Sequence, residues 1–349
     1  MDVPKAVAPV KAPAIPISER LRTWLVTYGV IAITIGLLLF FSVAEETFRR
    51  PTTILSMLKY ASVIAIAGLG VTTAMVVGGI DLSVGGIAGM AVTIAAMSMV
   101  IYNQVGWIAI LAVLVSGVVV GLVNAFLIVK LRIPDMLATL GVMFLVSGLK
   151  LLFVSGRSVS SGMPLPDGTT APGRFTADFL WIDNGFVGPI PVPVLVFAVA
   201  TIIIWAFLTR TRWGRIMYSI GANPEAARLA GVNTARYRIL AYVISGILAA
   251  VAGLILASRI GQGDISAGNS LLLDSIAVSL VGTSVMGLNL PNAWGTSLGA
   301  VMLGILITGL TIAGAPYYAQ DVVKGVVVIV ALILSYTLSR KKARYVPAV

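Results

Sequence analysis

Residues 61–86 read ASVIAIAGLG VTTAMVVGGI DLSVGG. Ala61 to Gly78 is an apolar run without a single charge. A run of about 18 such residues is long enough to cross the hydrocarbon core of a bilayer as a helix. Only Gly78-Gly79-Ile80-Asp81 then separates it from a second apolar run, Leu82 to Ile101. That is too short for an ordinary exposed hairpin between two spans, so a broken or re-entrant helix is expected near Gly78–Gly86. Paired glycines permit the interruption. Free backbone groups at membrane depth are tolerated only where protein buries them or a wet cavity receives them.

Working outward, further apolar runs are Trp24 to Phe41, Trp107 to Val129, Met136 to Val154 and Val192 to Leu208. Ile239 to Ala257, Leu271 to Met286, Trp294 to Ala313 and Val322 to Leu338 follow. The expectation is an all-α polytopic membrane protein of about ten transmembrane helices. Composition agrees: of 349 residues 58% are apolar and 11% charged, with a mean hydropathy of +1.02, where a soluble domain carries roughly a quarter charged residues. A transmembrane β-barrel needs in/out alternation over about ten residues, which these continuous runs lack. Ser42-Val43-Ala44 resembles a signal cleavage site, but the run before it is longer than a usual signal core and reads as a retained span.

The chain has no Cys and no His. Disulfides, thiolate metal sites, Cys nucleophiles and imidazole bases are thereby excluded, so no catalytic residues and no metal ligands are expected. The sequence also lacks GxxxxGK[ST], the loop that cradles nucleotide phosphates. A net charge of +11 raises the question of nucleic acid, which the distribution of the charges answers. With the N-terminus in the cytoplasm, sixteen of the 24 Lys and Arg residues fall on that side, clustered at Lys130–Arg132, Arg210–Arg238 and Arg340–Arg344. The positive-inside rule then sets an even number of spans with both termini cytoplasmic. The basic excess is topological, and no nucleic-acid partner is expected.

Residues 1–22 read as a flexible cytoplasmic tail, 23–338 as the membrane domain and 339–349 as a basic tail. Within the membrane domain, 155–191 is an external segment and 210–238 a cytoplasmic loop. Gly117 with Gly121 and Gly295 with Gly299 have the spacing that lets helices approach closely in lipid.

Three polar features are candidates for function. In the first, Gly78, Gly79, Asp81 and Ser83, the acid either caps the following helix or touches a transported solute. In the second, Asn223 is a good N-cap, Pro224 suits the first helical position, Glu225 the positive dipole end, and Gly231 a left-handed C-terminus. With small Ala226 and Ala227, such a helix either sits in a partner's groove or lies among lipid headgroups; the residues alone leave both open. The third is Asp274 with Thr283 and Ser284, beside a possible break at Gly282, where the acid is a functional candidate or a cap.

GGIDLSVGG (78–86), RTRWGRIMYSIGANPEAARLAGVN (210–233) and YVISGILAAVAGLILASRIG (242–261) resemble the membrane permease of ribose-type carbohydrate ABC importers. The wider family also holds branched-chain amino acid permeases. The resemblance runs from about Thr53 to Tyr336. It implies a pair of permeases, identical or paralogous, each commonly with ten spans, a cytoplasmic ABC ATPase pair and a periplasmic solute-binding protein, in the bacterial inner membrane. No cofactor is expected on this chain, ATP and Mg residing on the ATPase. By position, Asn223 to Gly231 would be the helix that docks in the ATPase, with Glu225, Ala226, Ala227 and Gly231 holding the motif, and 78–86 would lie by the translocation path. Relatives usually pair glycines where this chain has Val281 and Leu288, which leaves the solute open. The alternative is an ion-coupled secondary transporter using Asp81 and Asp274 at broken helices.

Overall fold

The computed structural model describes residues 17–285 and 290–340, and they are overwhelmingly helical. The chain opens with α1 (Ile17–Ala44), α2 (Pro51–Val76), α3 (Val84–Ala96), α4 (Gly106–Ala125) and α5 (Asp135–Phe153). α3 and α4 each end in a π turn, at Met97–Ile101 and Phe126–Lys130. After α6 (Ala177–Asn184), a hairpin of β1 (Phe186–Val187) and β2 (Ile190–Pro191) turns on Gly188, whose φ is +61°. α7 (Val192–Arg210), α8 (Arg212–Ala222), α9 (Pro224–Leu229) and α10 (Thr234–Ile260) follow, then α11 (Asn269–Gly282), α12 (Ala293–Ile312) and α13 (Tyr317–Arg340).

Each of the ten expected apolar segments overlaps a helix, although 271–286 runs past the end of α11 at Gly282 and its Met286 lies outside the described residues. Among the described residues, seven helices are long and apolar enough to cross a membrane: α2, α3 with its π turn, α4 with its own, α5, α7, α10 and α12. The apolar part of α1, Tyr28–Ala44, and α11 are shorter, and α13 carries Asp321 and Lys324 near its start. α1 begins at Ile17, so the last residues of the expected N-terminal tail are helical; 1–16, 341–349 and the Gly287–Leu288 pair lie outside the described residues.

Side-chain chemistry sets most boundaries. Pro51 opens α2 at a position that needs no N–H. Asn233 Oδ1 accepts from Arg236 N and Asn292 Oδ1 from Gly295 N, capping α10 and α12. Gly261, at φ +66°, closes α10. α3 and the part of α2 from Ala61 onward are enclosed almost all round, as expected of helices apolar on every face. α4 instead shows Leu111, Val115, Val119 and Leu122 outward on one stripe, a side suited to lipid. Its other side meets α10 through glycine: a Cβ at Gly117 would sit 2.6 Å from Gly246 O and one at Gly121 2.7 Å from Tyr242 O. Gly295 and Gly299 likewise lie on the backbone of α11, at Gly282 and Val278. Both small-residue pairs therefore serve close packing, as their spacing predicts.

Candidate functional site

The apolar run that began at Ala61 stops being helical at Val76, and α3 starts only at Val84. Gly78 turns the chain with φ +85°, a conformation costly for any residue with a Cβ. Gly79 is pinned from the other side, because a Cβ there would collide with Asp135 Oδ2 and Tyr242 Oη. Those two atoms are hydrogen-bonded to each other at 2.6 Å, and Thr139 Oγ1 donates to Ile80 O at 3.2 Å.

Asp81 is wholly enclosed. Its Oδ1 accepts from Ser83 N at 2.9 Å and Ser83 Oγ at 2.6 Å, while Oδ2 accepts from Ser245 Oγ of α10 at 2.7 Å. Asn124 Nδ2 of α4 donates to Ser83 Oγ at 2.7 Å. The carboxylate thus serves the residue that precedes α3, not the N–H groups inside its first turn. It also joins the break to α10, while Ser83 joins it to α4, which a simple cap would not do. Several donors aimed at one carboxylate in a buried site make bonds stronger than in solvent. Asp81→Asn turns an amide N–H2 toward one of these donors, leaving buried groups unpaired. It is expected to cost about 1–3 kcal/mol, read as a lowered thermal unfolding midpoint in detergent with uptake reduced alongside.

α8 and α9 stand at the end of the bundle where α10 begins. Thr211 Oγ1 accepts from Gly214 N at 3.1 Å and starts α8. α8 ends against the break: a Cβ at Gly221 would overlap Val76 O, with Gly78 N 3.3 Å away. Asn223 Oδ1 then accepts from Ala226 N at 3.0 Å, Pro224 occupies the first position of α9, and Gly231, at φ +83°, ends the turn. Glu225 pairs with Arg228 at 2.6 Å on the exposed side. Ala227 alone in α9 is buried, whereas Leu229 is 81% exposed. Arg212 and Arg215 of α8 and Arg236 of α10 are also exposed.

Asp274 lies in the second turn of α11, beyond reach of a cap, and α11 follows Gly268 with no side-chain cap. It forms an ion pair with Lys324 of α13 at 2.8 Å, and Asp321 holds the same ammonium at 3.0 Å. The capping alternative for Asp274 gives way to a tertiary ion pair. Thr283 Oγ1 donates back to Leu280 O at 2.7 Å, and Thr283 and Ser284 are buried just past the end of α11. Gly78, Gly79, Asp81 and Ser83 therefore form one cluster, the 223–231 residues a second, joined to the first through Gly221, and Asp274 faces α13.

Sequence reasoning missed the partners. Asp183 of α6 is buried between Lys59 Nζ at 2.9 Å and the Arg259 guanidinium at 3.1 Å, with Arg259 Nη2 donating to Lys59 O at 2.7 Å. Asn124, Ser245 and Tyr242 complete the break. Their only signal in the sequence is polarity inside an apolar run.

The family described as branched-chain amino acid transport system, permease component, matches residues 53–332. The chain belongs to this permease family. This permease is 33% identical to a ribose import permease protein of Haemophilus influenzae, over 86% of its own length and 90% of the relative's. It is 32% identical to a galactose/methyl galactoside import permease protein of Salmonella typhimurium, covering 92% and 97%. A xylose transport system permease protein of Escherichia coli is 26% identical, covering 90% and 92%. No solved structure matches the permease. It is a multi-pass membrane protein, and the break and the 223–231 helix both lie within the matched region.

Proposed function

We propose that this permease is the membrane-spanning subunit of an ABC importer that moves a monosaccharide or similar small polar solute inward across the bacterial inner membrane. Both termini and the α8–α9 end face the cytoplasm, and α6 with the hairpin faces the periplasm. A second permease copy or paralogue completes the path, a periplasmic binding protein delivers the solute, and a cytoplasmic ABC ATPase supplies the energy. ATP and Mg belong to that partner; this chain holds no cofactor and catalyses no hydrolysis.

The observation that carries this reading is α9: a short helix capped at Asn223, stopped at Gly231 and carrying an exposed Leu229 next to Arg228. An apolar side chain held out at a polar end of the bundle fits a groove on a partner. Movement of α9 on nucleotide binding passes to α8, and from Gly221 to Val76 and Gly78, where backbones touch. The break is where two helices can tilt separately, and the Asp81 network holds it to α10 and α4. The similarity to ribose, galactose and xylose permeases supports a sugar as the solute class.

The test is uptake into vesicles that carry the permease, its ATPase and its binding protein, with ATP inside and ionophores present. Uptake that requires ATP and survives loss of ion gradients is expected. Uptake that ignores ATP and collapses with the gradient would instead favour ion coupling through Asp81 and Asp274. The relay also predicts the effect of Gly221→Val: the branched side chain cannot fit against Val76 O, so uptake is expected to fall at least about tenfold while ATP hydrolysis continues. Unchanged transport would refute contact transmission at this point.

A further inference from the structure

The carboxylates buried among the described residues have partners, but one buried cation has almost none. Lys150, near the end of α5, is 3% exposed. Its ammonium, with three donors, makes one hydrogen bond, to Ala267 O at 3.3 Å. None of the ion pairs among the described residues includes it. Asp264, the acid in the adjacent turn, directs Oδ1 to Ser266 N and Ser266 Oγ, both at 2.8 Å. A charge inside a membrane protein without a counter-ion is expensive, and such residues mark binding sites or pathways.

The surroundings are built to bring backbone against this ammonium. A Cβ on Gly89 of α3 would lie 2.8 Å from Lys150 Nζ and 2.5 Å from Ala267 O. Gly268, at φ +87°, presses the same turn onto α3, where a Cβ would lie 2.5 Å from Gly85 O. The 264–268 turn therefore closes over Lys150 and α3. It lies just beyond the end of α10 that carries Arg259 and contacts α6.

We infer that Lys150 is a solute-contact residue at the periplasmic mouth of the path. When the 264–268 turn lifts from α3, the ammonium donates to hydroxyl oxygens of a neutral polyhydroxylated solute, and Ala267 C=O takes that place in the closed form. Asp264 attracts the ammonium without contacting it, which suits a neutral solute better than an anion. This inference rests on the importer reading above.

The experiment compares wild type, Lys150→Met and Lys150→Gln in proteoliposomes containing the ATPase and ribose-loaded binding protein, with uptake, ATP hydrolysis and thermal unfolding measured together. Lys150→Met removes a buried charge that makes no ion pair among the described residues at nearly constant volume, so the unfolding midpoint is expected to hold or rise. Its uptake at saturating binding protein is expected to drop about tenfold or more. Lys150→Gln, a neutral donor, is expected to recover part of it. Wild-type uptake in Lys150→Met overturns the inference. So does a lowered midpoint with uptake falling only in proportion to folded protein, which would make Lys150 a structural tie. If wild-type uptake does not depend on ATP, the importer reading itself fails, whatever the variants do.

Discussion

Leu229→Asp is expected to abolish ATP-driven uptake while the permease stays in the membrane at wild-type abundance. Leu229 is 81% exposed, so replacing it removes little packing from this chain, and surface changes of that kind usually shift stability by under about 0.5 kcal/mol. A carboxylate forced into an apolar groove is another matter: an anchor at the centre of an interface typically contributes about 2–4 kcal/mol, a loss of more than about thirtyfold in affinity. Glu225→Lys is expected to act the same way, because it also breaks the 2.6 Å pair with Arg228 and puts a positive charge at the positive end of α9. Immunodetection in membranes alongside uptake separates the two effects. Lost abundance would move Leu229 from partner contact to folding.

Asp183→Ala is expected to have the largest effect on stability. Removing the acid leaves Lys59 and Arg259 facing each other, both less than one-third exposed at their side chains. Breaking a buried pair from one side costs about 3–5 kcal/mol, with the upper part reserved for fully dry sites. About 3 kcal/mol is expected here, read as a lower unfolding midpoint and as early proteolysis of 155–191. Because α6 is held to α2 and α10 through Asp183, a double change that also removes Lys59 should restore part of the loss. No restoration would mean that the ion pair does not hold α6.

Much of this was legible because it is local. The glycine pair at Gly78-Gly79 interrupts an apolar run on the spot, and the caps of α9, Asn223 and Gly231, act within a few residues of themselves. Hydropathy located the seven long apolar helices for the same reason: each spans one continuous run. What stayed hidden depends on distant partners. Asp81 reads as a cap until Ser245 arrives from a helix that begins well over a hundred residues later. Asp274 reads the same way until Lys324 appears on α13. α6 was lost within the 155–191 segment because eight residues carry little signal of their own, and the Asp183 ion pairs that anchor the helix are tertiary. Lys150 was visible as a charge in a span, but nothing in the sequence shows that it lacks a carboxylate partner.

The claim that α9 is the contact with an ATPase is tested most directly by cross-linking. The chain has no cysteine, so Leu229→Cys and Tyr102→Cys each supply a single thiol, the latter 62% exposed at the opposite end of the bundle in the parent residue. With a bifunctional thiol–amine reagent in membranes containing the whole transporter, position 229 is predicted to cross-link to the ATPase, with a yield that changes on adding ATP, and position 102 is not. A cross-link to the ATPase from position 102, or none from 229 in membranes that transport normally, would mean that α9 is not where the ATPase docks.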